Sequence, residues 1–288
     1  MPRGLPREIR KAIEAAAEKQ VNIRGGLNMG GQAKIVTGLG KAELDRILVR
    51  GYNLTEEILG KMTFSQMTYL MLMGRLPTSG ESRMVDALLN VLVEHGLVSG
   101  VIAARLTVYT APEAIQGAVA AAILGAGSVH LGSSEWSAQM LQEALPRGSK
   151  AADLEAIAAS VVDEYGKKKK RIPGIGHRTH AEGDPRADRL FEIARETEVY
   201  GTYCDLLQWI CKVAEAKRGR RLPINVTGAI AAISSDIGLH WQMSKAFAII
   251  GRALGAMAHI GEEFRNPIAP SINTFIRSSL VYEPEMKS

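Results

Sequence analysis

Apolar residues recur at three- and four-residue spacing through most of the chain, and alternating β-branched runs closed by hairpin turns are almost absent. The pattern predicts an all-α protein. In "LTEEILGKMTFSQMTYLMLMGRLP" it gives two short helices, capped by Thr55 and Thr63, with Gly74 and Pro77 ending the second. "PEAIQGAVAAAILGAG" opens on Pro112 and closes on Gly125 and Gly127, the asymmetry expected of a buried helix. "SKAFAIIGRALGAMAHIGEEF" predicts another apolar helix, in which Gly251 and Gly255 admit a neighbouring backbone. A hairpin is expected only in "NIRGGLNMGGQAKIVTGLG", where glycines shape turns around Ile35 and Val36. No internal repeat or low-complexity linker interrupts the pattern.

With 288 residues the chain can bury a substantial core, and its composition, 46% hydrophobic and 23% charged, is globular. The net charge of +5 is mild and mixed in sign, which argues against a nucleic-acid surface. Its sharpest concentration is Lys167-Lys168-Lys169-Lys170-Arg171, suited to a small anion carrying several phosphates, or else a solvated tract and the edge between subdomains. Cys204 and Cys211, seven apart and so on one helical face, read as small buried hydrophobes in a reducing compartment. A metal site is not expected, because too few other ligands lie nearby. The first twenty residues mix Arg, Lys and Glu without an apolar run, so neither a signal nor a transit peptide is expected. No uncharged apolar stretch reaches the roughly 18 residues of a membrane span. A cytoplasmic protein without membrane or nucleic-acid partners is the expectation.

The chemistry concentrates in "RIPGIGHRTHAEGDPRADR", residues 171–189. Gly174 and Gly176 strip bulk from the approach to His177, and Asp184-Pro185-Arg186 follows closely. A turn histidine in a basic loop is the alternative. His95 in "LVEHGLVSG" and His130 in "LGAGSVHLGSSEW" likewise sit where helical pattern meets glycine or a small residue, positions from which a side chain can face a cleft. Arg252 and His259 lie seven apart inside an apolar helix, and a buried arginine requires a partner or an anionic ligand.

These segments together resemble the citrate synthase superfamily, and most closely its short members, citryl-CoA lyase and the C-terminal lyase module of ATP-citrate lyase. The likeness runs from about residue 45 to about 270. "ILVRGYNLTEEILGKMTFSQMTYLMLMGRLPT" is similar to the family's Arg-Gly-Tyr turn and following helix, "EHG" to its Asp-His-Glu or Asp-His-Gly, "GSVHLGSSE" to its glycine-flanked histidine, and "PGIGHR" with "DPRA" to its most specific motif. The resemblance implies roles. His95, Arg186, Arg252 and, on a weaker match, Arg265 would bind substrate carboxylates. His130 would donate to the thioester oxygen, and His177 would handle the proton on the hydroxyl or carbonyl oxygen. Lys170, Arg171, Arg178 and Arg221 would contact coenzyme A, with Arg220 a further candidate. It also implies a helical homodimer whose large domain spans 1–130 and 241–288 and whose small mobile domain spans 131–240, with coenzyme A bound across the cleft. The residue types suit the chemistry: an enolate oxygen needs a donor in a dry site, imidazole titrates near neutrality, and arginine's planar fork binds carboxylates two oxygens at a time.

One position departs from the pattern. Where the family carries an aspartate in Asn-Val-Asp, this chain reads "LPINVTGAIAAISSDIG", with Thr227 at the catalytic position. Threonine does not ionise usefully near neutrality, and general acid-base help is worth about 10² to 10⁴ in rate, so condensation should suffer badly and cleavage less. Asp236, Glu262 or Glu263 replacing that carboxylate is the alternative. Three readings follow: a lyase splitting citryl-CoA, or a related 3-hydroxy-3-carboxyacyl-CoA, into acetyl-CoA or another acyl-CoA and oxaloacetate or another 2-oxo acid; a condensing citrate or 2-methylcitrate synthase; and a catalytically weak acyl-CoA-binding subunit of a larger assembly. The chain's length, short of a full synthase, favours the first.

Overall fold

The computed structural model describes residues 35–127, 132–149, 153–176 and 183–284. Two compact units divide at Gly51 and Tyr52. In the first, an antiparallel pair joins β1 (Gly40–Ala42) to β2 (Ile47–Val49). Residues 22–34 of the expected hairpin stretch lie outside the described residues; Ile35 and Val36 are exposed without regular structure, and the pair follows them in the chain.

The second unit is predominantly helical. It opens on a helical turn, Leu54–Ile58, capped by Asn53, whose side chain accepts from the Thr55 and Glu56 amides. Asn53, and not the expected Thr55, is therefore the cap: the chain turns two residues earlier, and the Asn side chain takes the orphan amides of that turn. Next come α1 (Phe64–Met73) and α2 (Ser79–Asn90), each opened by a full capping box, Thr63 with Gln66 and Thr78 with Glu81. Gly74 closes α1 in the left-handed conformation at φ 76°, which a glycine adopts without strain. After α3 (Ser99–Thr110), Pro112 occupies a turn, and α4 (Ile115–Leu124) begins later than expected.

The remaining helices are α5 (Ser133–Ala144), α6 (Leu154–Lys167), α7 (Pro185–Glu196), α8 (Thr202–Arg218), α9 (Val226–Asp236), α10 (Ala246–Arg265) and α11 (Ala269–Ser279). Helix α9, "VTGAIAAISSD", is apolar nearly all round, and Gly228 to Ser235 are all buried. Such a helix belongs in the middle of a core. It packs against α5, α7 and α8, and the main hydrophobic cluster surrounds it. A smaller cluster of Ala104, Val108, Ala118, Ala122, Ala256 and Ile260 joins α3, α4 and α10.

Small residues set the approach of α10. A Cβ on Gly251 would stand 2.4 Å from the Leu89 carbonyl oxygen, and one on Gly255 would stand 1.9 Å from that of Val93. Both glycines are required by contact, as the sequence suggested. Cys204 is buried and Cys211 half-buried on one face of α8, and burial pushes both thiols up, Cys211 to about 11. Among the described residues no helix is long and apolar enough to cross a membrane.

Candidate active site

The site is built around the first turn of α9. Asn225 caps this helix: its Oδ1 accepts from the Thr227 and Gly228 amides, both at 3.1 Å, and from the Thr227 hydroxyl at 2.7 Å. Its Nδ2 donates to the Gly176 carbonyl at 2.9 Å, which orients the amide. The remaining N-terminal amide, that of Val226, donates to Asp184 Oδ2 at 2.9 Å. The three N-terminal amides are thus satisfied from within the chain.

The segment Pro173–Gly176 lies alongside. Gly176 N–H donates to the Pro223 carbonyl at 2.7 Å, Asn225 N–H to the Gly174 carbonyl at 3.0 Å, and Ile175 bridges Ile224. Gly174 has φ +84°, and a Cβ there would meet Ser137 Oγ at 2.5 Å and Gly228 Cα at 2.8 Å. The bulk removed at Gly174 therefore admits the first turn of α9 and a serine of α5. Ser133, the first residue of α5, donates from Oγ to Thr227 Oγ1 at 2.9 Å.

Asp184, whose side chain is fully buried, also receives Arg186: Nε at 2.9 Å to Oδ1 and Nη2 at 3.0 Å to Oδ2. Burial raises the Asp184 carboxyl, but Arg186 and the Val226 amide outweigh it and hold the group below the usual carboxylate range. Arg186 was expected as a ligand for substrate carboxylate. Two of its donors are committed to Asp184, and Nη1 remains on a side chain one quarter exposed.

A second grouping surrounds α10. Arg252 is buried, with Nε and Nη1 lacking a hydrogen-bond partner, and it lines a cavity of about 270 Å³ with Ser99, Gly100 and Ala122. Burial lowers the guanidinium, opposed by the charge of Glu94. The Glu94 carboxylate accepts from Gly96 N–H in the turn that carries the exposed His95, and pairs with His259 Nε2 at 2.8 Å. Burial raises Glu94, and the Gly96 amide and His259 bring it below the ordinary value. Glu94 therefore holds the turn bearing His95 and acts on Arg252 through its charge, without a hydrogen bond to the guanidinium Nε or Nη1.

The other expected residues fall as follows. His130, His177 and Arg178 lie outside the described residues. Lys170 and Arg171 line a groove of about 810 Å³ whose walls include Trp136, Met140 and Tyr165. Lys167 ends α6, where cations favour the helix C-terminus, and Lys168 pairs with Glu164. Arg221 and Arg265 are exposed, after α8 and at the end of α10 respectively.

None of the three carboxylates considered as a substitute for the missing aspartate is free to act as one. Asp236 accepts the Gly201, Tyr203 and Cys204 amides at the start of α8. Glu262 and Glu263 receive the buried Arg105 at 2.8 and 2.6 Å, and Glu263 also takes the Ile268 and Ala269 amides ahead of α11. Sequence reasoning missed Ser133, Asn225 and Glu94. A signal existed for Asn225, an N-cap residue directly before a buried helix; for Ser133 and Glu94 the partners are 94 and 165 residues away and leave no local trace.

Residues 77–277 match the family model for the citrate synthase C-terminal domain, and the chain belongs to the citrate synthase family. Within that family it is similar in structure to the citryl-CoA lyase from Hydrogenobacter thermophilus, with 34% sequence identity and a TM-score of 0.79 over 88% of this chain and 96% of that one. The ATP citrate lyase from Methanothrix soehngenii, solved with citrate and coenzyme A, shares the fold at 19% identity and a TM-score of 0.70 over 99% of this chain and 46% of that one. Citrate synthase from Heyndrickxia coagulans is 28% identical over 210 residues, 71% of this chain and 53% of that protein. The chain spans about half the length of the curated relatives it matches.

Proposed function

We propose that the chain is a carbon-carbon lyase that cleaves citryl-CoA, or a related 3-hydroxy-3-carboxyacyl-CoA, to acetyl-CoA or its homologue and oxaloacetate or another 2-oxo acid. The observation that carries this reading is the first turn of α9. The segments leading to His177 and away from His130 are anchored there, and the side chain between them is a threonine hydroxyl. The likeness to a citryl-CoA lyase, 34% identical with a TM-score of 0.79, supports it.

In this reading His177 accepts the proton of the tertiary hydroxyl. The carbon-carbon bond then breaks, the oxygen becomes the ketone of the 2-oxo acid, and the electron pair enters the thioester as an enolate. His130 donates a hydrogen bond to the enolate oxygen, and water returns a proton to the enolate carbon. His95, Arg186 through its remaining donors, Arg252 and Arg265 hold the carboxylates. Lys170, Arg171, Arg178 and Arg221 neutralise the coenzyme A phosphates. Coenzyme A enters as thioester, and no step calls on a metal. The working form in this reading is a cytoplasmic homodimer, with residues 131–240 as the domain that closes on the ligand.

The names of the curated relatives favour a second reading, a condensing synthase. Thr227 opposes it, because condensation requires a base at the acetyl methyl group. Purified protein incubated with citryl-CoA, with oxaloacetate followed through malate dehydrogenase, tests the lyase. Acetyl-CoA with oxaloacetate, read as free thiol, tests the synthase. Cleavage without condensation is expected. Coenzyme A binding with neither activity would replace both readings by an acyl-CoA-binding subunit.

A further inference from the structure

Three side chains at the start of α9 form an ordered hydrogen-bonded chain. Ser133 Oγ donates to Thr227 Oγ1 at 2.9 Å, and Thr227 Oγ1 donates to Asn225 Oδ1 at 2.7 Å. Asn225 Nδ2 completes it at the Gly176 carbonyl, 2.9 Å away. The direction is fixed at both ends. The amide must present its oxygen to the α9 amides, because its nitrogen is the donor to Gly176, so Thr227 has to give its hydrogen to Asn225 and take one from Ser133. Threonine's hydrogen is committed, and Ser133 is the residue that fills its acceptor side. Along the sequence, His130 stands three residues before Ser133 and His177 directly after Gly176.

We propose that Ser133 is a positioning residue for carbon-carbon cleavage, holding the start of α5 against the Pro173–Gly176 segment through Thr227 and Asn225. The proposal rests on the lyase reading. Its physical content is that reacting groups carried by separate segments must be held in register as the bond breaks, and small misplacements cost rate more than affinity. Ser133 is half-buried at the first position of its helix, so its side chain is partly open to solvent. A hydroxyl at this point is therefore separable from shape. Ser133→Thr keeps the donor, and Ser133→Val has the same outline without it.

The test uses the full chain and citryl-CoA cleavage read as oxaloacetate. Ser133→Thr should stay within about twofold of the wild type, while Ser133→Val should lose about 3- to 10-fold in kcat, the scale of one hydrogen bond, with KM changed by less than about twofold. Because Ser133 acts through Thr227, the double variant with Thr227→Val should be no slower than the slower single variant. Equal kcat for Ser133→Thr and Ser133→Val, a change in KM alone, or losses that multiply in the double variant would each overturn the proposal while leaving the lyase reading intact. A wild-type protein that does not cleave citryl-CoA would overturn the lyase reading, and the proposal with it.

Discussion

Asp184 Oδ2 accepts the Val226 amide hydrogen at 2.9 Å, and this one bond fixes the start of α7 to the first turn of α9. The carboxylate also receives Arg186, so the Asp-Pro-Arg motif does its work inside the fold before it meets any ligand. Pro185 at the first helical position loses no hydrogen bond, since that amide would have been an orphan.

Asp184→Asn should therefore cost roughly 1 to 2 kcal/mol, discounted because Arg186 is partly solvated. The pH dependence has a definite sign. The native carboxyl sits below its unfolded value of about 3.9, so its contribution is fully present above that value and fades as pH falls through the lowered native one. Urea denaturation between about pH 2.5 and 6 should give wild-type protein a steeper acid loss than the variant. Parallel acid limbs would remove Asp184 from the account.

Two glycines of α10 provide a control for each other. Gly255→Ala would drive a methyl group against the Val93 carbonyl oxygen at 1.9 Å and should destabilise by about 2 to 3 kcal/mol. Gly261 has nothing within 4 Å of a built Cβ, and Gly261→Ala should stabilise by about 0.5 to 1 kcal/mol through helix propensity alone. Thermal melts of the two variants should move in opposite directions.

The same helix marks how far sequence carries. Gly251 and Gly255 were legible because close approach leaves a compositional trace, and Thr63 and Gly74 because caps are local chemistry. The antiparallel pair of Gly40–Ala42 with Ile47–Val49 left no sequence signal, because three-residue strands carry too little alternation to be told from loop. Arg105, fully buried on α3, went unnoticed, since its partners Glu262 and Glu263 are more than 150 residues away. At the site, Thr227 was found by its departure from a motif, whereas Ser133 is identified only by what it touches.

Arg252 combines burial with two unpaired donors, an arrangement that favours binding over stability. Arg252→Met preserves much of the volume and removes the desolvated charge, and should raise stability by about 1 to 2 kcal/mol. The same change should weaken citrate binding at least tenfold, the loss of a charged hydrogen-bonding group. Calorimetric titration with citrate beside a thermal melt checks both. A variant that is less stable and binds citrate as before would mean that the guanidinium is structural.

Thr227→Asp tests what the hydroxyl withholds. At the second position of α9 a carboxylate would lie in the favourable field of the helix N-terminus and stay ionised near neutrality, with Ser133 available as its donor. That supplies the base which removal of an acetyl methyl proton requires and which neither hydroxyl can provide. In deuterated water, wild-type protein should leave the acetyl-CoA methyl protons unexchanged beyond the buffer rate, and Thr227→Asp should exchange them at least about tenfold faster, the lower part of the range for an added general base. Exchange is read by proton NMR and needs no carbon-carbon bond to form, so it isolates this one proton transfer from ligand closure and product release. Rapid exchange by the wild type would place a working base elsewhere in the site and remove Thr227 as the reason the chain favours cleavage.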